Sequence, residues 1–319
     1  MNSNGARIAA LLAALVLLPF VAPPYALHVA IVVLFNATYA AALYAVLRMG
    51  YLSLGHAGFI ALGAYTCVIL SVRLGVSPWL GIPAGGLVAG LFAWGLGALT
   101  LRLRGIYFSL AIFAFGEIVT ALFRAFDWFG GPAGIPGVPR PAFFGTPLAS
   151  HFAFYWLVLA VAVLGIGVLY RLQYTRFGAT LLTLRTADSE RLAESVGIPA
   201  VRYKTAAFVV SCMVAGMTGA VHAQYLMFVN PQVFTFLTST DLLIYAMVGG
   251  LASFWGPILG ASLLTALGEQ LFSVGYWKTL VYAAILMIVI MLLPGGLVDL
   301  PRRLRGLRKA APDEIAVPP

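Results

Sequence analysis

The sequence is poor in charge and in cysteine, and both shortages narrow the class of protein. Of its 319 residues only 9% are Asp, Glu, Lys or Arg, whereas 62% are apolar. A soluble globular domain carries roughly 25% charged residues, so this chain has too few to cover a water-facing surface. Cys67 and Cys212 lie singly in apolar stretches, without a C-x-x-C partner. A soluble enzyme, a nucleic-acid-binding domain and a secreted disulfide scaffold are therefore excluded.

Signature motifs of catalysis are also missing from the sequence. It contains no G-x-x-x-x-G-K-[ST] phosphate-binding loop, no G-x-S-x-G nucleophile motif and no H-E-x-x-H zinc motif. The four histidines, at positions 28, 56, 151 and 222, are scattered. We therefore expect no catalytic residue, no metal site and no ATP hydrolysis by this chain. An intramembrane enzyme ranks last among the possible functions.

Long uncharged runs recur instead along the whole chain. The runs at 79–101 and 279–298 are examples, and each reaches the ~20 apolar residues that cross a bilayer as a helix. The pattern predicts an all-α polytopic membrane protein with about ten transmembrane helices. We place these spans at 8–24, 28–47, 53–72, 78–101, 106–123, 152–170, 205–227, 235–250, 257–274 and 278–298.

The basic residues predict the orientation of these spans. Six lie between Arg171 and Lys204 and five between Arg302 and Lys309, and such clusters favour the cytoplasmic side. Both clusters face that side only if the weak stretch 235–274 crosses twice, which favours ten spans over nine. Both termini are then cytoplasmic. We expect a single membrane domain over 1–301, an inside loop at 171–204 and a basic cytoplasmic tail at 302–319.

Two features of this pattern each have a second interpretation. Arg7 followed by the apolar stretch 8–21 fits a first span or a cleaved signal peptide, and the span is preferred because further spans follow at once. The stretches 58–64 and 256–261 are faintly alike and six crossings apart. They indicate either a weak parallel repeat, as in some transporters, or chance similarity in a Gly- and Ala-rich sequence.

The inside loop contains the signals of one short helix. Asp188 is expected to cap a helix over 189–196, Gly197 to take the C′ position after it, and Pro199 to stop it. Such a helix, held between two membrane spans, either docks into a partner or lies on the anionic lipid surface. The residues alone do not decide between the two.

The predicted faces of this helix differ in polarity. Leu192 and Val196 share one face, while Glu190 and Glu194 share another at i,i+4 spacing. The helix is therefore amphipathic, with an apolar side available for docking.

One polar residue lies deep within a predicted span. Glu117 follows Arg104 by 13 residues, or ~20 Å along a helix, which places its carboxylate well inside the hydrocarbon. A carboxylate at that depth costs ~2.5 kcal/mol or more, so it should face a partner or a watery path. Glu117 is thus either a pathway or gate residue or one partner of an internal helix–helix hydrogen bond.

Ser53, Gly55 and His56 lie at the inside mouth of the third predicted span. Glycine there allows a close helix approach or a broken helix, and the imidazole can donate or accept a hydrogen bond. A lone histidine without an H-x-x-x-H or carboxylate partner indicates neither a metal site nor a catalytic triad. We interpret this segment as a packing or gating turn.

Ten short blocks occur in one order over about 44–300. They are 52–59 (LSLGHAGF), 63–65 (GAY), 101–108 (LRLRGIYF), 116–118 (GEI), 130–135 (GGPAGI), 203–208 (YKTAAF), 215–220 (AGMTGA), 249–253 (GGLAS), 256–261 (GPILGA) and 294–297 (PGGL). With these blocks the chain resembles the branched-chain amino-acid permeases of the LivM type. The stretch 187–197 is similar to the cytoplasmic coupling loop of ABC importer permeases. A departure is Tyr51-Leu52-Ser53, where the family often has Gln-Leu-Ser.

The resemblance implies a membrane permease subunit of an ATP-driven importer for branched-chain or related hydrophobic amino acids, in the bacterial inner membrane. Its implied partners are a second permease subunit, two cytoplasmic ATPase subunits that bind the ATP, a periplasmic substrate-binding protein and membrane lipid. No cofactor of its own and no nucleic acid are expected. Urea, amides or another small metabolite are alternative substrates, and an ion-coupled carrier is the alternative class.

The candidate site residues fall into two groups. For coupling to the ATPase they are Glu190, Ala193, Glu194 and Gly197, and for the translocation path they are Ser53, Gly55, His56 and Glu117.

Overall fold

A computed structural model describes residues 3–103, 105–143 and 146–271, together with 280, 283, 284, 287, 291 and 295–299. The tail at 302–319 and most of the span predicted at 278–298 lie outside the described residues. Within them the chain forms eleven α-helices. These are α1 (Ser3–Val21), α2 (Pro24–Arg48), α3 (His56–Val68), α4 (Pro78–Thr100), α5 (Ile106–Ala125), α6 (His151–Tyr174), α7 (Arg176–Thr183), α8 (Ala187–Ser195), α9 (Ala200–Leu226), α10 (Phe236–Gly249) and α11 (Trp255–Gln270).

Seven stretches of the described chain are long and apolar enough to cross a bilayer. They are Pro24–Arg48, His56–Arg73, Pro78–Thr100, Ile106–Ala125, His151–Tyr174, Ala200–Leu226 and Pro231–Gly249. The segments predicted to span at 8–24 and 257–274 are helical as α1 and α11, but the apolar stretch of α1 is short and α11 has only 16 residues. The mostly helical, multi-pass class is confirmed, whereas the count of about ten spans is not.

Small residues hold three of the spans together. A Cβ atom on Gly63 of α3 would overlap the backbone of Gly216 in α9, and one on Gly85 of α4 would lie 2.6 Å from the Gly63 carbonyl oxygen. Helices in lipid gain little from the hydrophobic effect between them and associate instead through close packing of small residues. We call this cluster the α3–α4–α9 unit.

The helix α3 begins later than the sequence predicts. The span was expected from residue 53, but α3 starts at His56 and leaves 49–55 as a non-helical linker after α2. A Cβ on Gly55 would overlap the carbonyl oxygen of Ile112 in α5, so the linker enters α3 with its backbone against α5. At its other end α3 continues as one π-helical turn, Ile69–Arg73.

In the described part of the chain, four short strands lie at one end of the bundle. They are β1 (Ile135–Pro136), β2 (Ala142–Phe143), β3 (Thr146–Pro147) and β4 (Phe228–Val229), and they pair antiparallel as β1 with β4 and β2 with β3. The 27 residues of α9 separate β4 from α7 and α8 by ~40 Å. The strands therefore mark one end of the bundle, the strand end, and α7–α8 mark the other, the loop end.

The loop predicted at 171–204 is largely helical. It contains the last residues of α6, all of α7 and α8, and the first turn of α9. Lys204, expected outside the following span, is inside α9 and only 2% exposed. A buried partner, described below, offsets the cost of burying this charge.

Candidate functional site

A recess lies where the linker enters α3, between α3, α5 and the start of α10. It is too narrow in this conformation to hold a water molecule, and its wall includes Gly55 and Gly58 of the α3 entrance and Glu117 of α5. The rings of Phe113 and Phe236 meet edge to face beside it, with centroids 5.2 Å apart. The recess thus combines one carboxylate with two aromatic side chains.

The first turn of α3 is tied to α10 at this recess. The backbone N–H of Ala57 donates to the Ser239 hydroxyl oxygen over 3.0 Å, which satisfies one of the N–H groups that a helix start leaves without an intrahelical partner. A Cβ on Gly58 would lie 2.8 Å from the Cα of Gly116, so α3 and α5 also meet through glycine backbones. Three helices therefore converge on the segment that the sequence singles out.

Glu117 is half-buried and lines the recess. Within the described ranges its carboxylate has neither an ion pair nor a side-chain hydrogen bond; only its backbone carbonyl accepts a bond, from the Thr120 hydroxyl at 3.0 Å. A carboxylate in an apolar span that has no partner in the described part of the chain suits contact with water or with a solute.

Ser53 and His56 do not line the recess. Both are fully buried, and neither the Ser53 hydroxyl nor either ring nitrogen of His56 has a hydrogen-bond partner among the described residues. Leaving a buried polar group unsatisfied costs about 1–3 kcal/mol. Of the four predicted path residues, Gly55 and Glu117 therefore both line the recess, whereas Ser53 and His56 are buried outside its lining.

The short helix predicted in the loop is present as α8, with one shifted end. It begins at Ala187 because the Glu190 N–H donates to the Thr186 carbonyl at 3.0 Å, so Asp188 lies in the first turn rather than at the cap. At the other end Gly197 has φ +86°, and the Ile198 N–H donates to the Ala193 carbonyl at 2.9 Å. This left-handed glycine confirms the predicted C′ position.

The two carboxylates of α8 lie at the predicted i,i+4 spacing on one helix, but they differ in burial. Glu190 is buried with its Oε2 2.9 Å from the Lys204 ammonium nitrogen, whereas Glu194 is exposed. Lys204 of α9 meets Glu190 in the first turn of α8, whereas Glu194, one turn later, has no ion pair among the described residues. The second turn projects, with Leu192 69% and Val196 75% exposed.

Lys204 joins the loop end to the linker. Its ammonium nitrogen donates to the Tyr51 hydroxyl oxygen at 3.2 Å and lies 4.9 Å from the centre of that ring. The Tyr51 hydroxyl in turn donates to the Leu101 carbonyl at 3.0 Å, and its ring meets Phe108 edge to face at 4.6 Å. Sequence reasoning missed this group because Tyr51 and Lys204 are 153 residues apart.

At the strand end, histidines that are scattered in the sequence come together. The Tyr225 hydroxyl lies 2.6 Å from Nδ1 of His28 and 3.2 Å from Nδ1 of His151, and so joins α9 to α2 and α6. Nδ1 of His222 lies 3.2 Å from the Tyr39 hydroxyl. Across the described residues no three His, Cys, Asp or Glu side chains are grouped as a metal site requires.

A multi-pass helical bundle, a carboxylate without a partner among the described residues inside one apolar helix, and a projecting short helix are together typical of a membrane transport protein. The family described as "Branched-chain amino acid transport system / permease component" matches residues 25–293. The chain belongs to this family and is a permease of the ABC transporter class.

Curated relatives agree with this assignment. The chain is 31% identical over 277 residues to the high-affinity branched-chain amino acid transport system permease protein LivM of Salmonella typhimurium. This aligned stretch covers 79% of this chain and 65% of that protein. It is 31% identical over 286 residues to LivM of Escherichia coli, covering 82% and 67%. It is 27% identical over 252 residues to the nucleoside ABC transporter permease protein NupC of Lactococcus lactis, covering 72% and 75%.

The chain thus spans about two thirds of the length of the two LivM proteins. No solved structure matches it.

Proposed function

We propose that this chain is the membrane subunit of an ATP-driven importer for branched-chain or related hydrophobic amino acids. The observation that carries the proposal is α8, a nine-residue helix whose first turn is anchored by Glu190 while Leu192 and Val196 project uncovered from the loop end. Two exposed apolar residues on a rigid, anchored turn suit a groove on another protein. The LivM relatives support the substrate class.

The proposed assembly contains a second permease subunit, two cytoplasmic ATPase subunits and a periplasmic substrate-binding protein. The ATPases bind and hydrolyse ATP, since this sequence has no phosphate-binding loop, and the chain needs no cofactor of its own. In this proposal Glu194, Ala193 and Gly197 belong to the docking turn, while Glu190 anchors that turn instead of contacting the ATPase.

The positive-inside bias supports an inner-membrane topology of ten spans in one membrane domain over 1–301. Both termini, the 171–204 loop and the 302–319 tail then face the cytoplasm. The additional spans would be 8–24, 257–274 and 278–298.

The recess is the proposed segment of the translocation path in this chain. Glu117 offers a carboxylate to a cationic ammonium group, and Phe113 and Phe236 offer apolar contact to a hydrocarbon side chain. Together with Gly55, which admits a close backbone approach, these features suit a small zwitterion with an apolar side chain. Ser53 and His56 supply further donors or acceptors that a rearranged linker could expose.

The proposal is tested by copurifying the chain with the branched-chain-type ATPase subunits of the same organism and measuring ATP-dependent leucine uptake in proteoliposomes. Replacing Leu192 and Val196 together by Asp should abolish ATPase association. The matched control is Leu182→Asp on α7, also exposed at the loop end, which should retain it. ATPase association and uptake unaffected by the double replacement would contradict the docking assignment.

The same preparation separates the alternatives. Uptake by the chain alone, driven by a proton or sodium gradient without ATP, would indicate an ion-coupled carrier that uses Glu117. The nucleoside permease among the relatives makes nucleosides a second substrate class to compare with leucine, urea and amides.

A further inference from the structure

The starting observation is a buried charge that connects three segments of the chain. Lys204 is 2% exposed, and its ammonium nitrogen contacts both Glu190 of α8, at 2.9 Å, and the Tyr51 hydroxyl of the linker, at 3.2 Å. Glu190 itself is 8% exposed. The ammonium group is therefore a junction between α8, α9 and the linker.

A buried charge constrains motion more strictly than an apolar contact does. Apolar side chains can slide past one another with little loss, because their attraction has no preferred direction. Separating Glu190 from Lys204 would instead leave two unpaired charges in a low-dielectric environment, which is strongly unfavourable. A displacement of α8 should therefore carry Lys204 with it.

Tyr51 passes such a displacement into the linker. Its hydroxyl accepts from Lys204 and donates to the Leu101 carbonyl at 3.0 Å, so the group is held from both sides. A second contact runs in parallel: a Cβ on Gly50 would lie 3.0 Å from the carbonyl oxygen of Arg185, just before α8. The loop end therefore contacts the linker at two adjacent residues, Gly50 and Tyr51.

The linker is short enough to transmit movement to the recess. Tyr51 and Gly55 are only four positions apart, a reach of at most ~14 Å. Gly55 lines the recess and has its backbone against Ile112 of α5. A shift at Tyr51 therefore reaches either the wall of the recess or the α3–α5 contact.

We propose that Lys204 is a positioning residue that couples α8 to the linker, so that movement of α8 is transmitted through Tyr51 to Gly55 at the recess. The inference rests on the proposed function, because it requires that partner ATPases move α8. It differs from the docking assignment in concerning the inward side of α8 rather than the surface that meets the partner.

The test uses the full assembly of this chain with its second permease, ATPases and binding protein in lipid nanodiscs and proteoliposomes. Lys204→Met should leave ATPase association intact and basal ATP hydrolysis within about twofold, but lower the substrate transported per ATP hydrolysed at least tenfold. Lys204→Arg should keep most of this ratio, since it preserves the charge. Combining Glu190→Lys with Lys204→Glu should restore the ratio above that of either single change.

A distance measurement separates coupling from simple support of the fold. Spin labels at Leu52 in the linker and Ile118 on α5 are both on exposed side chains, and the native cysteines are buried. Their separation should change when vanadate traps the ATPases in the wild-type background and stay constant with Lys204→Met. Arg202→Met removes an exposed charge on α9 two residues from Lys204, outside the docking turn; it is the matched control and should leave this change in place.

The outcomes are distinct. An unchanged transport-to-ATP ratio in Lys204→Met, or loss of ATPase association that the charge swap fails to restore, would overturn the inference. Failure of the proposed function looks different, because the wild-type assembly would then show no ATP-dependent uptake at all.

Discussion

The two ends of α9 are held by different chemistry. At the loop end Lys204 forms a buried ion pair with Glu190, whereas at the strand end Tyr225 shares its hydroxyl between His28 and His151. The two anchors are 21 residues apart, or ~32 Å along the helix. Both tie α9 to distant segments, but only one does so with opposite charges.

The difference has a mechanical consequence. A buried ion pair resists separation because each charge needs the other. The hydrogen bonds at the strand end can be replaced by water, since His28 is half-buried and His151 is exposed. The loop end should therefore move as one body, while the strand end can open and close at low cost.

The largest effect on thermal stability should follow from reversing a charge at the loop end. Glu190→Lys places two ammonium groups together without a counter-charge, and disrupting a buried pair costs about 3–5 kcal/mol. We expect a large fall in melting temperature in detergent, measured by intrinsic fluorescence. Glu194→Lys, four residues further on and exposed, should change it little. Equal destabilisation by the two replacements would contradict the contrast between the buried and the exposed carboxylate.

The second largest effect on thermal stability is expected in the α3–α4–α9 unit, which lies between the two ends of α9. Gly63→Ala inserts a methyl group where a Cβ would overlap the Gly216 backbone, and overpacking of this kind costs about 1–3 kcal/mol. Gly167→Ala is the control, because nothing lies within 4 Å of a Cβ there. The melting temperature should fall for Gly63→Ala but not for Gly167→Ala. A neutral Gly63→Ala would mean that the helices can separate, and that the two ends are not connected by a rigid unit.

Much of this framework could be predicted from the sequence, because a bilayer imposes length and polarity directly on each helix. The spans expected at 78–101 and 106–123 correspond closely to α4 and α5. Gly197 was placed correctly because a left-handed C′ residue has a local signature. Glu117 was singled out because a charge inside an apolar run is conspicuous.

The anchors could not be predicted, because apolar periodicity does not record which helices meet. Tyr225 lies 197 residues from His28 and 74 from His151. The burial of Glu190 could not be predicted for a related reason. An i,i+4 spacing shows that Glu190 and Glu194 point in similar directions, but not which of them meets a cation of α9.

A smaller effect is expected at the strand end. Tyr225→Phe removes the shared hydroxyl, but the imidazoles can turn to water, so the loss should be about 0.5–1.5 kcal/mol, the net contribution of an ordinary hydrogen bond. Tyr170→Phe on α6 is the control, since its hydroxyl has no hydrogen bond within the described residues while its ring contacts remain. The expected loss is tested by comparing the melting temperatures of Tyr225→Phe and Tyr170→Phe with that of the wild type. A loss as large as that of Glu190→Lys would remove the distinction between the two ends.

The smallest effect on stability, and a large one on transport, is expected at Glu117. Because this carboxylate has no partner within the described residues, Glu117→Gln breaks no contact and relieves an unpaired charge in an apolar span. The melting temperature should stay the same or rise slightly, while ATP-dependent leucine uptake should fall at least tenfold. Asp127→Asn, an exposed carboxylate just beyond the end of α5 and outside the recess lining, should leave both unchanged. Retained uptake in Glu117→Gln would exclude this residue from the path, whereas lost uptake at full stability would separate the group that meets the solute from those that hold the two ends of α9.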